Sequence, residues 1–325
     1  MVTKKQHYYP RCLLKHFSDD QGKVNVYIRQ ANKLSKMSYE KICAANYTYE
    51  SGNTNDNILE RKLGIYESKA CSIVNYILKN MNSEQFTITK EQQQILFQYM
   101  FLQSLRTDAG RINFINLIEN LFSYKPRNTP IELDEIKVNG EKIKKFNWIF
   151  KQDNALEEIL NQLEKSNDMN FHIALSKDNL LTSDNPIVGT DEGRQIILPI
   201  SPYSCIEFQH DSINTSDELI VMLTTEKTRY INEATINTSN YYIISQEPFN
   251  LIQSNYIYNR FLNIYKYLMR GLLLFIGTKF IKSWEQWGEC HSYLFFDYQP
   301  GSIFGFHCSQ CRKARVKKFW RLPWQ

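Results

Sequence analysis

The stretch His7–Tyr27, HYYPRCLLKHFSDDQGKVNVY, packs two histidines, three tyrosines, a proline, an apolar run and a turn into the start of the chain. The first residues of a domain usually fray unless something ties them down. A start this rich in aromatic residues reads as a segment docked into a core or lining a site. Its second half is plainer. DDQG is turn chemistry, and KVNVYIR (Lys23–Arg29) alternates Val24, Val26 and Ile28 with polar residues. That alternation predicts a strand with one buried face.

Helices follow. In NILERKLGIYESKACSIVNYILKNM the apolar positions Leu59, Leu63, Tyr66, Ala70, Ile73 and Ile77 step by threes and fours, the stripe of an amphipathic helix. Thr89, with Gln92 three residues on, predicts a capping box opening a second helix to about Arg106, apolar almost all round. A third is expected over roughly Gly110–Leu121, and helix again from about Ile143 to Asn167. Then the period changes: MNFHIALS, QIILPISP, CIEFQH, ELIVMLT and NYYIISQ read as strands, with TTEKTRYINEATINTS helical before the last. Strand, several helices, then strands predicts an α+β fold, a helical bundle packed on a small mixed or antiparallel sheet.

The 325 residues are 42% hydrophobic and 14% aromatic, which excludes a disordered chain. Residues 261–325 hold ten Lys/Arg against three Asp/Glu, so of the formal +5 the other 260 residues carry −2. The body is not a uniformly basic nucleic-acid binder. Seven cysteines scattered without a leader read as reduced thiols in a cytoplasmic protein. MVTKKQHYYP lacks the apolar core of a signal peptide. The most apolar window, Tyr267–Ile281, contains Arg270 and Lys279 and falls short of the ~20 residues a span needs.

Ordered blocks along the chain carry a family resemblance. HYYPRCLLKHFSDDQGKVNVY, KICAANYTY, LERKLGIYESKA, FLQSLRT, LLTSDNPIV, ILPISP and RYINEATI together resemble the DUF4238 family, a bacterial domain of unknown function. The likeness spans roughly Gln6–Gln246, which divides the chain into a DUF4238-like domain, 1–260, and a basic, Cys- and aromatic-containing tail, 261–325. The resemblance implies no reaction. It marks His7, Tyr8, Pro10, Glu60, Glu67, Arg106, Ser183, Asp184, Asn185 and Pro186 as members of recurring blocks.

Those residue types suggest chemistry. Glu60 and Glu67 are seven apart, so about 100° per residue returns them to one flank of their helix. Such a pair can hold a divalent ion, Mg²⁺ or Mn²⁺, with Asp184 as a further ligand, or simply sit as rim charges. Arg106 ends an apolar helix; it either serves the helix dipole or meets a buried carboxylate, with Glu60, Glu67 and Asp184 the candidates. In LLTSDNPIVG, Ser, Asp and Asn before Pro186 make a tight turn, which either joins two strands or displays Asp184 and Asn185 in a cleft. His7 can exchange a proton near neutrality. Together His7, Arg106, Asp184 and Asn185 suit metal-assisted phosphodiester hydrolysis by a nuclease-like enzyme, with bacterial defence or toxicity a plausible setting. The rival is a non-catalytic ligand- or partner-binding protein in which the same residues form a structural polar network. The sequence contains no GxGxxG, Walker, GxSxG or HExxH motif.

The tail adds two weaker patterns. Cys290, Cys308 and Cys311, with His291 or His307, are a partial zinc set or free thiols. Arg312, Lys313, Arg315, Lys317 and Lys318 beside Trp320 suit phosphate and base contacts with nucleic acid or form a solvated basic end.

Overall fold

The computed structural model describes residues 3–31, 33–52, 56–120, 131, 133–165, 168–190, 195–210, 218–249, 252–253 and 320–321. The chain begins with β1 (Lys5–His7), α1 (Arg11–Leu14), a 3-10 turn (Lys15–Phe17), β2 (Lys23–Ile28), β3 (Lys33–Ser38) and β4 (Ala44–Asn46). Six helices follow: α2 (Ile58–Asn80), α3 (Lys90–Leu105), α4 (Asp108–Glu119), α5 (Leu133–Val138), α6 (Gly140–Lys151) and α7 (Ala155–Lys165). The remainder is β5 (Met169–Leu175), β6 (Thr182–Ser183), β7 (Val188–Thr190), β8 (Gln195–Ser201), β9 (Ser204–His210), β10 (Ile220–Met222), α8 (Thr225–Thr238), β11 (Tyr242–Ser245), β12 (Ile252–Gln253) and β13 (Trp320–Arg321).

The α+β class holds, but the strands form more than one small sheet. A five-stranded sheet runs β10-β5-β9-β8-β7 and a four-stranded sheet β3-β2-β11-β6. The first is mixed, since β10 is parallel to β5 while the other pairs are antiparallel. The second is antiparallel throughout. It unites β2, near the start of the chain, with β11, more than two hundred residues later, so the amino-terminal segment is built into the body.

The period-two pattern of β2 places Val24 and Val26 in the core, both fully buried. The turn before it depends on Gly22, whose φ of 69° is left-handed and easy only for glycine. There the Asp19 carboxylate accepts from the amides of Gln21 and Lys23. The main core joins Val24 and Val26 to Leu13 and Leu14 of α1, Val74 and Ile77 of α2, Leu96 and Tyr99 of α3, and Ile173, Ile206 and Phe208 of the five-stranded sheet. A second cluster lies among the helices, where Leu59 and Leu63 meet Leu102, Phe146, Phe150, Leu156 and Leu160.

One expected helix is two. The stretch from Ile143 onward breaks after Lys151, and Asn154 takes a φ of 65°. The bend folds α7 back so that Leu156 and Leu160 reach Phe146 and Phe150, burial that a straight helix would forgo. Another expectation fails at the cysteines. The pair Cys12 and Cys71 is joined in a disulfide between α1 and α2, with Cα atoms 6.1 Å apart across a separation of 59 residues. Nothing local in the sequence announces that crossing. Cys43 and Cys205 are free and buried. Among the described residues no helix is long and apolar enough to cross a membrane.

The capping box at the head of α3 is present as expected. The Gln92 amide donates to Thr89 Oγ1 at 3.2 Å, and the Thr89 amide donates to Gln92 Oε1 at 2.9 Å. Thr89→Ala should therefore cost about 1 kcal/mol of stability, read as a lower urea midpoint with an unchanged slope; an unmoved midpoint would show that the box contributes nothing.

Candidate functional site

Arg106 occupies the junction between two helices. It caps the carboxyl end of α3, and Thr107 immediately begins α4 by accepting from the Gly110 amide at 3.0 Å. The packed junction turns the arginine inward, to 3% exposure. A guanidinium there needs acceptors in a fixed fork. It finds three: Nη1 donates to Glu67 Oε2 at 2.5 Å, Nη2 to the His7 carbonyl at 2.6 Å and Nε to the Tyr49 hydroxyl at 3.0 Å. Tyr49 in turn donates to the same His7 carbonyl at 3.0 Å. One residue along, Gln103 Nε2 donates to the Tyr8 carbonyl at 2.7 Å, and the Tyr99 hydroxyl donates to Gln103 Oε1. The backbone of the opening HYYP motif is thus gripped by side chains from α3.

A second group extends the grip. Gln6 is fully buried; its Oε1 accepts from the Tyr49 amide, and its Nε2 donates to Glu50 Oε1 at 2.9 Å and to Asn57 Oδ1 at 3.2 Å. Glu50 Oε2 pairs with Lys151 at 2.9 Å, and Lys151 also reaches Asp56 at 3.0 Å. Burial pushes the Glu50 carboxyl up, but Lys151, Gln6 and the Asp56 amide outweigh it and hold the carboxyl below its usual range. Nearby Arg111, also buried, donates to the Thr48 carbonyl, Asn147 Oδ1 and Asp108. Buried charges need such partners.

The residues singled out in the sequence divide between two places. His7, Glu60, Glu67 and Arg106 gather around the amino-terminal segment. Glu60 is half-buried; burial raises its carboxyl, Gln6 and Arg106 pull it down, and Glu50 and Glu67 push it up, with a raised value the net result. The His7 ring is lowered, chiefly by burial and then by Arg11 and Lys5, against the Glu40 carbonyl and Glu67. Its Nε2 lies 3.1 Å from the Glu40 carbonyl and 3.2 Å from Arg11 Nε. A neutral ring serves one of these contacts or the other, according to its tautomer.

Asp184 and Asn185 belong to a different knot, which corrects the expectation of a display in a cleft. Asp184 is 2% exposed and accepts from the amides of Asn240, Tyr241 and Tyr242, the last at 2.8 Å. Asn185 Nδ2 donates to the Thr238 carbonyl and to Asn240 Oδ1, each at 2.7 Å. Ser183 Oγ closes the turn on Asn185. The SDNP turn therefore stitches β6 to the end of α8 and the start of β11. A buried carboxylate takes the nearest donors, and here these are backbone amides, so Asp184 pairs with neither His7 nor Arg106. Burial raises the proton affinity of the Tyr8 hydroxyl, and Cys43 and Asp184 raise it further.

The proposed Mg²⁺ or Mn²⁺ ligands are not assembled as a set. Among the described residues no three His, Cys, Asp or Glu side chains gather where they can hold one ion; Glu67 is occupied by Arg106, and Asp184 lies in the other knot. Cys290, Cys308, Cys311, Arg312, Lys313, Arg315, Lys317 and Lys318 lie outside the described residues. Trp320 belongs to β13, whose backbone pairs antiparallel with β12 at Gln253. Sequence reasoning passed over Gln6, Tyr49, Glu50, Arg111, Asn147 and Lys151. The only local hint was Tyr49, at the end of the KICAANYTY block.

Arg106→Met removes the donor shared by Glu67, Tyr49 and the His7 carbonyl. Because the Glu67 side chain is 26% exposed and water recovers part of the loss, the expected destabilisation is about 2–4 kcal/mol, measured by urea unfolding; a loss under about 1 kcal/mol would refute the hub role. Burial pushes the Asp184 carboxyl up to about 6 from 3.8, against the pull of its three amides and Arg29. A carboxyl that holds its proton more tightly when folded favours the fold below about pH 4, and that contribution is lost as pH rises to about 6. Asp184→Asn should flatten the stability profile in that window relative to the parent chain; parallel profiles would contradict the raised value.

No curated protein and no solved structure matches the chain. A family model described as "Protein of unknown function (DUF4238)" matches residues 5–248, the span that holds both polar knots and the elements that position them. The chain therefore belongs to the DUF4238 family.

Proposed function

We propose that the protein is a ligand- or partner-binding protein in which the Arg106 network serves as scaffold. The observation that supports this reading is that the strongest polar groups are already engaged: each nitrogen of the Arg106 fork has an internal acceptor, and Asp184 is taken by backbone amides. Groups held this way fix the chain and have little capacity left for a reacting phosphate. A ligand would meet the half-buried rim of His7, Tyr8, Glu60 and Glu67.

One observation favours the second reading, a metal-assisted, nuclease-like phosphodiester hydrolase. Burial lowers the His7 ring and raises the Glu60 carboxyl, and a carboxyl raised toward neutrality is a group that acid–base chemistry can use. In that reading His7 moves the proton and Arg106 clamps charge. Glu60, Glu67 and Asp184 would have to rearrange to hold Mg²⁺ or Mn²⁺, which would polarise the phosphoryl oxygen.

The two readings separate in one assay. Full-length protein with Mg²⁺ or Mn²⁺ is expected to leave labelled single- and double-stranded DNA and RNA intact, indistinguishably from His7→Ala and Glu60→Gln proteins. Cleavage by the parent chain that disappears in Glu60→Gln or Asp184→Ala would replace the binding reading with the hydrolase.

A further inference from the structure

Helix α2 turns three residues in one line toward the amino-terminal segment. Glu60, Glu67 and Cys71 are spaced by seven and four, so at about 100° per residue they fall within roughly 40° of one another. Opposite them, in the same chain order, stand Gln6, His7 and Cys12. Burial raises the Glu60 carboxyl, and the neighbouring Gln6 side chain pulls it back down. Glu67 is bridged by Arg106 to the His7 carbonyl. Cys71 is bonded to Cys12. These are three rungs of one ladder, two polar and one covalent, and the covalent rung exists only while two thiols are oxidised.

We infer that Cys12–Cys71 is a reversible redox latch that sets how firmly the segment from Gln6 to Cys12 is held against the Glu60–Glu67 line of α2. The two cysteines differ in the way the chemistry needs. Cys12 is partly exposed, whereas Cys71 is 7% exposed. The accessible sulfur is the one that a disulfide in solution can meet first. Cys12 attacks a disulfide such as glutathione disulfide, forms a mixed disulfide and expels one glutathione thiolate. Cys71 then attacks the Cys12 sulfur and expels the second. Two electrons pass from the protein thiols to the glutathione disulfide, and the two thiol protons end on the released glutathione. The Cα separation of 6.1 Å lies within the range that a disulfide spans. Cys43 and Cys205 do not compete, because both are wholly buried and burial pushes their thiols well up.

The latch acts on the polar rungs. With the bond closed, α1 cannot leave α2, and the strand before it stays under the Arg106 fork. With the bond open, the segment is held by non-covalent contacts alone: the hydrogen bonds of Gln6, Tyr49, Gln103 and Arg106, and the apolar burial of Tyr9, Leu13 and Leu14.

Full-length protein equilibrated with glutathione disulfide or with dithiothreitol tests this. After alkylation under denaturing conditions, peptide mapping of the oxidised sample should find Cys12 and Cys71 in one cross-linked peptide pair, with Cys43 and Cys205 alkylated. Amide exchange over residues 5–9 and 58–67 should be at least threefold faster in the reduced sample. That redox difference should vanish in Cys12→Ser and Cys71→Ser proteins, both of which keep the reduced pattern. Alkylation of Cys12 and Cys71 after oxidation, or equal exchange in the two redox states, would overturn the latch; because the comparison uses the unaltered chain, it does not depend on either variant folding.

Discussion

A guanidinium buried at a helix junction leaves the surrounding chain little freedom. Arg106 cannot shed its charge at any pH a cell reaches, so every conformation that buries it must supply acceptors in the right fork. The ones it finds come from far along the chain: a carboxylate on α2, a phenol just after β4 and a main-chain carbonyl at the end of β1. Satisfying one side chain therefore fixes three segments at once. The tyrosine is held in turn, because its amide bonds Gln6 and its hydroxyl shares the His7 carbonyl.

This constraint answers why the chain opens with so many aromatic and polar groups in a row. Gln6 is buried, the His7 and Tyr8 carbonyls are bonded by side chains, Tyr9 is wholly buried with its hydroxyl accepting from Thr182, and Leu13 and Leu14 enter the main core. The opening is neither a frayed end nor a lid. It is a wedge between α2, α3 and the four-stranded sheet, and its residues alternate between paying apolar surface into the core and offering carbonyls to the polar network. Two left-handed residues flank the partner strand β4, Cys43 at φ 52° and Tyr47 at φ 55°. Such backbone costs about 1 kcal/mol or more per residue. It is held in place where the Tyr8 amide bonds the Cys43 carbonyl and the Tyr47 amide bonds the Lys4 carbonyl.

The SDNP turn follows the same logic at a second place. A carboxylate, a hydroxyl and a carboxamide in succession look like ligands set out for a metal. In the fold they are consumed by the end of α8 and the start of β11, whose amides would otherwise be buried without acceptors. Belonging to the DUF4238 family is consistent with either role, since a residue that recurs in a family can be kept for structure as readily as for chemistry.

Local features were legible in the sequence because their causes are local. The strand Lys23–Ile28 follows from alternation, the helices Ile58–Asn80 and Lys90–Leu105 from apolar spacing, and the Thr89 box from two residues three apart. The common flank of Glu60 and Glu67 follows from helix geometry alone. The break after Lys151 was not legible, because it is the packing of Leu156 and Leu160 onto Phe146 and Phe150 that bends an otherwise helical sequence. Nor was the separation of Arg106 from Asp184, the burial of Gln6, the Glu50–Lys151 pair or the meeting of Cys12 with Cys71. Each of these joins residues tens to more than a hundred positions apart, and only the three-dimensional path of the chain decides which buried charge is near which acceptor. The sequence by itself determined the elements and the residue types at their ends; the tertiary structure decided the partners, because hydrogen bonds and ion pairs act over a few ångströms of space without regard to distance along the chain.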